Sequence, residues 1–441
     1  MIGISRGKAR PDGSTCGTAA ASARWGRLAL VLWLLAMVAT AVAVLLSGLH
    51  ALIDLQVYRT GGQAWLSDVR LYAEGFPAPL SGPALPFTYP PIAAVLFSLF
   101  ALLPWPAAIV VFTLLGLAGL SLTALAVARR THRRRELAVL VGLAVAVAAL
   151  AVEPVRQTLS FGQINLILMG LVAADCLVSR TRWPRGLLIG FAAAIKLTPV
   201  IFVLFFLARR QWRPMAVALA AFAAFGLLGW VLAPEDTAQY WFGALLDPGR
   251  VGGLAYATNQ SLRGVLHRFG LAEGAETITW MLLSLVVVAL AWLGAARARR
   301  GGDEVTALLA VAVAGLLVSP VSWSHHWVWI VPALVPLTLV LWRGRWLARG
   351  AGALVVLVFV VGPHWLLPRE NDRELGWAWW QHLIGDSYVL VGLALLVLAA
   401  FVDRWYLLTR PVTPAPTEDT DDTTAEPPTG EHQLVGQGEQ R

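Results

Sequence analysis

A chain of 441 residues that is 58% hydrophobic and 14% charged, with mean hydropathy +0.67, does not belong among water-soluble domains. Its long apolar runs lack two-residue alternation, which excludes an outer-membrane barrel and leaves an all-α, polytopic integral membrane protein. The net charge of +8 sits in short segments between apolar runs, where the positive-inside bias accounts for it without nucleic acid.

In chain order, residues 1–27 read as a basic cytoplasmic tail, carrying Arg6, Lys8, Arg10, Arg24 and Arg27. The run 28–46 is long enough to cross a bilayer. Asp54 follows it closely, at the lip of the membrane and near Tyr58 and Arg59. An acid there is costly to place and is by default functional, the structural alternative being a cap on the helix that follows. The outer segment 48–90 closes with Pro86-Phe87-Thr88-Tyr89-Pro90-Pro91.

Further apolar runs span 91–103, 107–128, 137–152, 164–178, 186–208, 214–232, 277–296, 305–318, 327–342, 350–367 and 386–402. Basic clusters follow several of them, at 129–135, 180–185, 209–213, 297–300 and 343–349. Placing every cluster in the cytoplasm makes 91–103 a partial helix. It also makes 186–208 a re-entrant or broken pair, interrupted near Ile195-Lys196-Leu197-Thr198-Pro199. A bundle of about 10–12 transmembrane helices results. Five segments then face outward: 48–90, 153–163, 233–276, 319–326 and 368–385. The acidic Pro/Thr-rich segment 411–441 reads as a disordered cytoplasmic tail.

Polar groups concentrate in the outward segments. They are Asp54, Glu153-Pro154-Val155-Arg156, Phe161-Gly162-Gln163-Ile164-Asn165, Asn259-Gln260-Ser261-Leu262-Arg263-Gly264 and Ser319 through Trp327 with His325 and His326; Lys196 joins them at the hairpin break. Each has an ordinary explanation. Lys196 pairs with Glu153, the arginines snorkel to headgroups, the histidines satisfy a helix start, and the tryptophans form the interfacial belt. Their sharing one side of the membrane favours a site instead. A base beside cations that suit phosphate oxygens is equipment for group transfer from a phosphorylated lipid.

These motifs resemble glycosyltransferase family 87, the actinobacterial polyprenol-phosphate-mannose-dependent α-1,2-mannosyltransferases that act on phosphatidylinositol mannosides and lipomannan. They occur in family order across roughly residues 50–335. The resemblance implies a GT-C fold over 28–403, with 48–90 as the outer catalytic loop. It implies inverting transfer of mannose from polyprenyl-phosphate mannose, on the outer face of the cell membrane, to a lipid-anchored mannoside.

By the same resemblance Asp54 is the base, and the functional histidine lies within His325-His326. Lys196, Arg263 and Arg156 are expected on the donor phosphate. Tyr58, Tyr89, Gln163, Asn165, Asn259, Gln260 and Trp323 are expected to position substrate. No cofactor is expected and no metal is required. Gln56 and Ser160-Phe161 depart from the family's pentamannoside-forming pattern and leave the acceptor open. A lipid-linked-sugar flippase, an envelope assembly subunit and a transferase of another lipid-linked sugar are the competing readings.

Overall fold

The computed structural model describes residues 13–48, 52–73, 76–77, 85–247, 250 and 252–402, so the expected acidic tail 411–441 lies outside the described residues. The first helix, α1, runs Gly13–Gly48 and therefore begins well inside the stretch expected as a tail. Ala19, Ala20, Ala21 and Ala23 supply the propensity that carries the helix N-terminally. A short helix, α2 (Ile53–Leu66), follows, and then α3 (Pro91–Ala101) and α4 (Trp105–Thr131). Proline at the start of α3 and within the first turn of α4 fits positions whose N–H groups have no helical partner.

Next come α5 (Arg135–Ala148), α6 (Glu153–Phe161), α7 (Asn165–Leu177) and α8 (Leu187–Ile195). The expected break is present. Lys196 is extended (φ −142°, ψ 125°), a 3-10 turn Thr198–Phe202 follows, and the chain resumes as α9 (Val203–Ala208). The remainder is α10 (Trp212–Leu232), α11 (Pro234–Phe242), α12 (Leu262–Arg268), α13 (Glu273–Arg300), α14 (Glu304–Val318), α15 (Ile330–Arg343), α16 (Trp346–Val361), α17 (Trp379–Gly385) and α18 (Ser387–Phe401). An isolated antiparallel bridge joins Asn259 to Trp323.

Among the described residues five helices are long and apolar enough to cross a membrane, or seven if two bent pairs each count as one span. Five shorter apolar helices join them, so the expected 10–12 is reached only by counting these as well. The protein is a multi-pass, all-helical membrane protein. Small residues let its helices approach closely: a Cβ added at Gly170 of α7 would lie 2.6 Å from the Gly119 Cα of α4.

The two ends of the bundle differ. At one, Arg130 and Arg209 share the Glu304 carboxylate at 2.9 and 3.0 Å, and Arg130 Nε also donates to the Leu177 carbonyl. The basic clusters expected in the cytoplasm thus meet there. At the other, the expected outward segments bind one another. The Leu71 N–H donates to Asp236, Ala257 N–H to Glu374, Gln260 N–H to the Ser322 carbonyl, and Ser324 Oγ to Glu153.

Candidate active site

Asp54 is held by its backbone before its side chain. Leu52, 2% exposed, adopts the left-handed conformation (φ 64°) and turns the chain into α2 with no side-chain cap. Left-handed backbone is costly for a bulky residue and persists only where neighbours enforce it. The enforcing neighbour is Gly162, itself left-handed (φ 66°) at the end of α6, whose missing side chain leaves room for Leu52 and Leu55. Asp54 then sits in the first turn of α2, where the helix dipole favours a negative charge. It is not the cap that the structural alternative required.

Gln163, next in chain, orients the acid. Its Oε1 accepts from the Tyr58 hydroxyl (2.7 Å), the Tyr89 hydroxyl (3.2 Å) and the Ile164 N–H (3.1 Å). That fixes which end of the amide is oxygen and leaves the NH2 group to donate to Asp54. Asp54 keeps some accessible surface, yet burial pushes its carboxyl up to about 7, with Lys196 and the Gln163 hydrogen bond pulling back against that rise. A carboxyl balanced near neutrality suits a general base.

Lys196 reaches the same cluster from the break after α8. Its Nζ donates to Asn165 Oδ1 (3.1 Å), stands 3.4 Å from His326 Nε2, and lies over the Tyr89 ring at 5.4 Å. A charged Lys196 makes His326 Nε2 the accepting nitrogen. Asn165 bridges onward, its Nδ2 donating to the His325 carbonyl at 3.0 Å. Asp54, Gln163, Tyr89, Asn165, Lys196 and His326 thus form one polar cluster.

The histidine pair divides. His326 lines a cavity of about 60 Å³ together with Lys196, Asn165, Thr198, Ser322 and Trp329, which continues among apolar residues of α7 and α14. His325 turns from it, its ring edge-on to Phe161 at 5.3 Å. Asp54 does not line that cavity; it meets Lys196 through its charge.

Several residues expected at the site have other partners in the structure. Arg263 pairs with Glu276 (3.0 Å) beneath Trp280, because a carboxylate only 4% exposed needs a cation of its own. Arg156 donates to the backbone carbonyls of Ala151 and Val360 (3.0 Å for the latter) and is not drawn into the Lys196 cluster. Lys196 does not pair with Glu153, whose oxygens are taken by Ser324, Trp365 and Tyr388.

Tyr58 is fully buried and stacked on Phe97 at 4.3 Å, so it offers no face to a sugar and serves Gln163 instead. Asn259 and Gln260 are likewise buried and hold loops: Asn259 bonds Ser322 N–H and the Leu254 carbonyl, Gln260 the carbonyls of Ala257 and Gly385. Trp323 is half-buried in the bridge to Asn259, with its ring against Tyr256.

Glu153, named in the sequence reading as an alternative partner of Lys196, is 1% exposed, and several buried charges escaped that reading, among them Arg268, Asp386 and Glu374. Arg268 is fully buried on Asp386 (2.7 Å), a pairing across 118 residues that spacing does not reveal.

The family profile described as glycosyltransferase family 87 matches residues 87–320. Over 424 residues the chain is 43% identical to the polyprenol-phosphate-mannose-dependent alpha-(1-2)-phosphatidylinositol mannoside mannosyltransferase of Mycobacterium tuberculosis, covering 89% of this chain and 97% of that protein. The chain belongs to glycosyltransferase family 87.

A second relative, the polyprenol-phosphate-mannose-dependent alpha-(1-2)-phosphatidylinositol pentamannoside mannosyltransferase of Mycolicibacterium smegmatis, is 34% identical over 398 residues (86% of this chain, 93% of that one). An alpha-(1->3)-arabinofuranosyltransferase of Corynebacterium glutamicum is 28% identical over 299 residues (64% and 68%). No solved structure matches. The protein is a membrane glycosyltransferase with the polytopic helical architecture expected of the GT-C class. Asp54, His325 and His326 lie outside residues 87–320.

Proposed function

We propose that this family 87 member transfers mannose from polyprenyl-phosphate mannose to a lipid-anchored mannoside, phosphatidylinositol mannoside or lipomannan, at the outer face of the cell membrane. The linkage formed is α-1,2, with inversion. One observation carries the reading: a desolvated carboxyl near neutrality and a half-buried lysine share one hydrogen-bonded cluster beside a cavity lined by polar and apolar residues together.

The acceptor hydroxyl oxygen attacks C1 of the mannosyl group as Asp54 takes the hydroxyl proton. The bond from C1 to the phosphate oxygen breaks on the opposite face, and its electron pair leaves with the lipid phosphate. Lys196, with His326 beside it, stabilises the charge on that leaving group, the position where preorganised donors count most. A lipid phosphate leaving group stabilised by Lys196 needs no divalent ion, so the reaction is proposed to be metal-independent. The outward face is supported by the charge bias, and the segments it places outward contact one another at one end of the bundle.

Membranes expressing the protein, given radiolabelled polyprenyl-phosphate mannose with phosphatidylinositol mannosides or short α-mannosides, should form a product that α-1,2-mannosidase cleaves, with EDTA leaving the rate unchanged. Label passing from GDP-mannose but not from the lipid donor would overturn the donor. Loss to EDTA with recovery in manganese would overturn metal independence. Lipid-donor translocation without transfer would favour the flippase.

A further inference from the structure

Glu153 begins α6; three hydrogen-bond donors converge on its buried carboxylate, and the buried His364 Nε2 stands 3.6 Å from Oε1. Ser324 Oγ (2.7 Å) and Trp365 Nε1 (2.8 Å) share Oε1, and the Tyr388 hydroxyl (2.8 Å) takes Oε2. The carboxylate accepts at both oxygens, and the Tyr388 hydroxyl on Oε2 can rotate. Ser324 immediately precedes the histidine pair and opens the 3-10 turn Ser324–Trp329. That turn is irregular, with Trp327 at φ −76°, ψ 21°, so its own backbone bonds specify it loosely.

α6 supplies the missing definition at two further points. Thr158 Oγ1 donates to the His325 carbonyl at 3.0 Å, and Phe161 meets the His325 ring. The turn carrying His326 is therefore clamped along α6, with Glu153 at the helix's first residue.

We propose that Glu153 is a positioning residue of the transfer reaction: through Ser324 it fixes the turn that aims His326 at Lys196 and the cavity. It never touches substrate. The assignment rests on the mannosyl-transfer reading above, and the tests keep the two apart.

Glutamine at 153 preserves the clamp, its carbonyl accepting from Ser324 and Trp365 and its NH2 donating to the rotatable Tyr388 hydroxyl. Alanine abolishes it. In detergent-purified full-length protein, Glu153→Ala should lower kcat at least about tenfold with donor KM within about threefold, while Glu153→Gln retains kcat within about threefold. Should Glu153→Ala not accumulate, Ser324→Ala, which deletes one bond of the clamp, carries the same expectation of a kcat-only loss.

A structure of Glu153→Ala or Ser324→Ala in nanodiscs should show the 3.4 Å separation of Lys196 Nζ and His326 Nε2 opened beyond hydrogen-bond range. Wild-type kcat in the alanine variants, an unmoved turn, or a Glu153→Gln loss equal to that of alanine would overturn the proposal. A wild type that transfers no mannose would sink the underlying reaction instead, with the turn's position still deciding the role of Glu153.

Discussion

Gly162→Ala tests how tightly the fold holds Asp54. The substitution places a Cβ 2.7 Å from Leu55 Cβ and 3.3 Å from Leu52 Cβ, against ordinary contacts of 3.4–4 Å. Relief requires the first turn of α2 to retreat by about 1 Å, carrying Asp54 with it; misplacement on that scale costs about 100-fold in rate, or about 2.7 kcal/mol of barrier. The left-handed backbone adds about 1–2 kcal/mol of instability, which lowers the melting temperature by only a few degrees in a chain of this size. The assay is kcat at saturating donor and acceptor, normalised to folded, monodisperse protein, alongside thermal unfolding. A variant with wild-type kcat would refute the argument that Gly162 seats the catalytic turn.

Further outcomes follow from the same geometry. Asp54 acts only when ionised and its carboxyl sits at about 7, so kcat/KM should climb with pH below 7 and level off above it; Gln163→Leu, which removes a hydrogen bond that lowers the value, should move the midpoint to higher pH, and an unmoved midpoint would separate the two groups. Because that folded value exceeds the ordinary 3.8, the same carboxyl also withdraws stability as pH rises from 3.8 to about 7, visible in denaturation midpoints. Lys196→Met should reduce kcat by about 10²–10³-fold through loss of leaving-group stabilisation, measured in the same transfer assay. Arg263→Ala should leave kcat within about twofold yet cost about 1–3 kcal/mol of stability, since it strips the buried Glu276 of its guanidinium partner; a selective rise in donor KM would return Arg263 to the phosphate.

Much of the fold was legible because bilayer-spanning helices announce themselves by apolar length. The run 107–128 became Trp105–Thr131 and 214–232 became Trp212–Leu232. The break at Lys196 was equally readable, since a lysine before Thr198-Pro199 fits poorly inside a lipid-facing helix. Helix α2 was harder: its Gln, Arg and two glycines mask any apolar stripe, and it is fixed by packing against Gly162 and α3.

At the site, residue chemistry set an acid, a lysine and a histidine in company, and Asp54, Lys196 and His326 do lie in one cluster. Pairing was not legible. Nothing local says that Arg263 answers Glu276 rather than a phosphate, or that Tyr58 is sealed behind Phe97. The histidines are adjacent in sequence, and only the 3-10 turn sends His326 toward the cavity and His325 toward Phe161.

The central claim is that Asp54 draws the proton from the acceptor. Its most direct test is transfer of radiolabelled mannose from polyprenyl-phosphate mannose to a phosphatidylinositol mannoside by wild type and Asp54→Asn at matched levels of folded protein. The account predicts transfer by the wild type and a loss of at least about 10²-fold in the variant. Equal transfer by both would contradict it and leave Asp54 a structural acid.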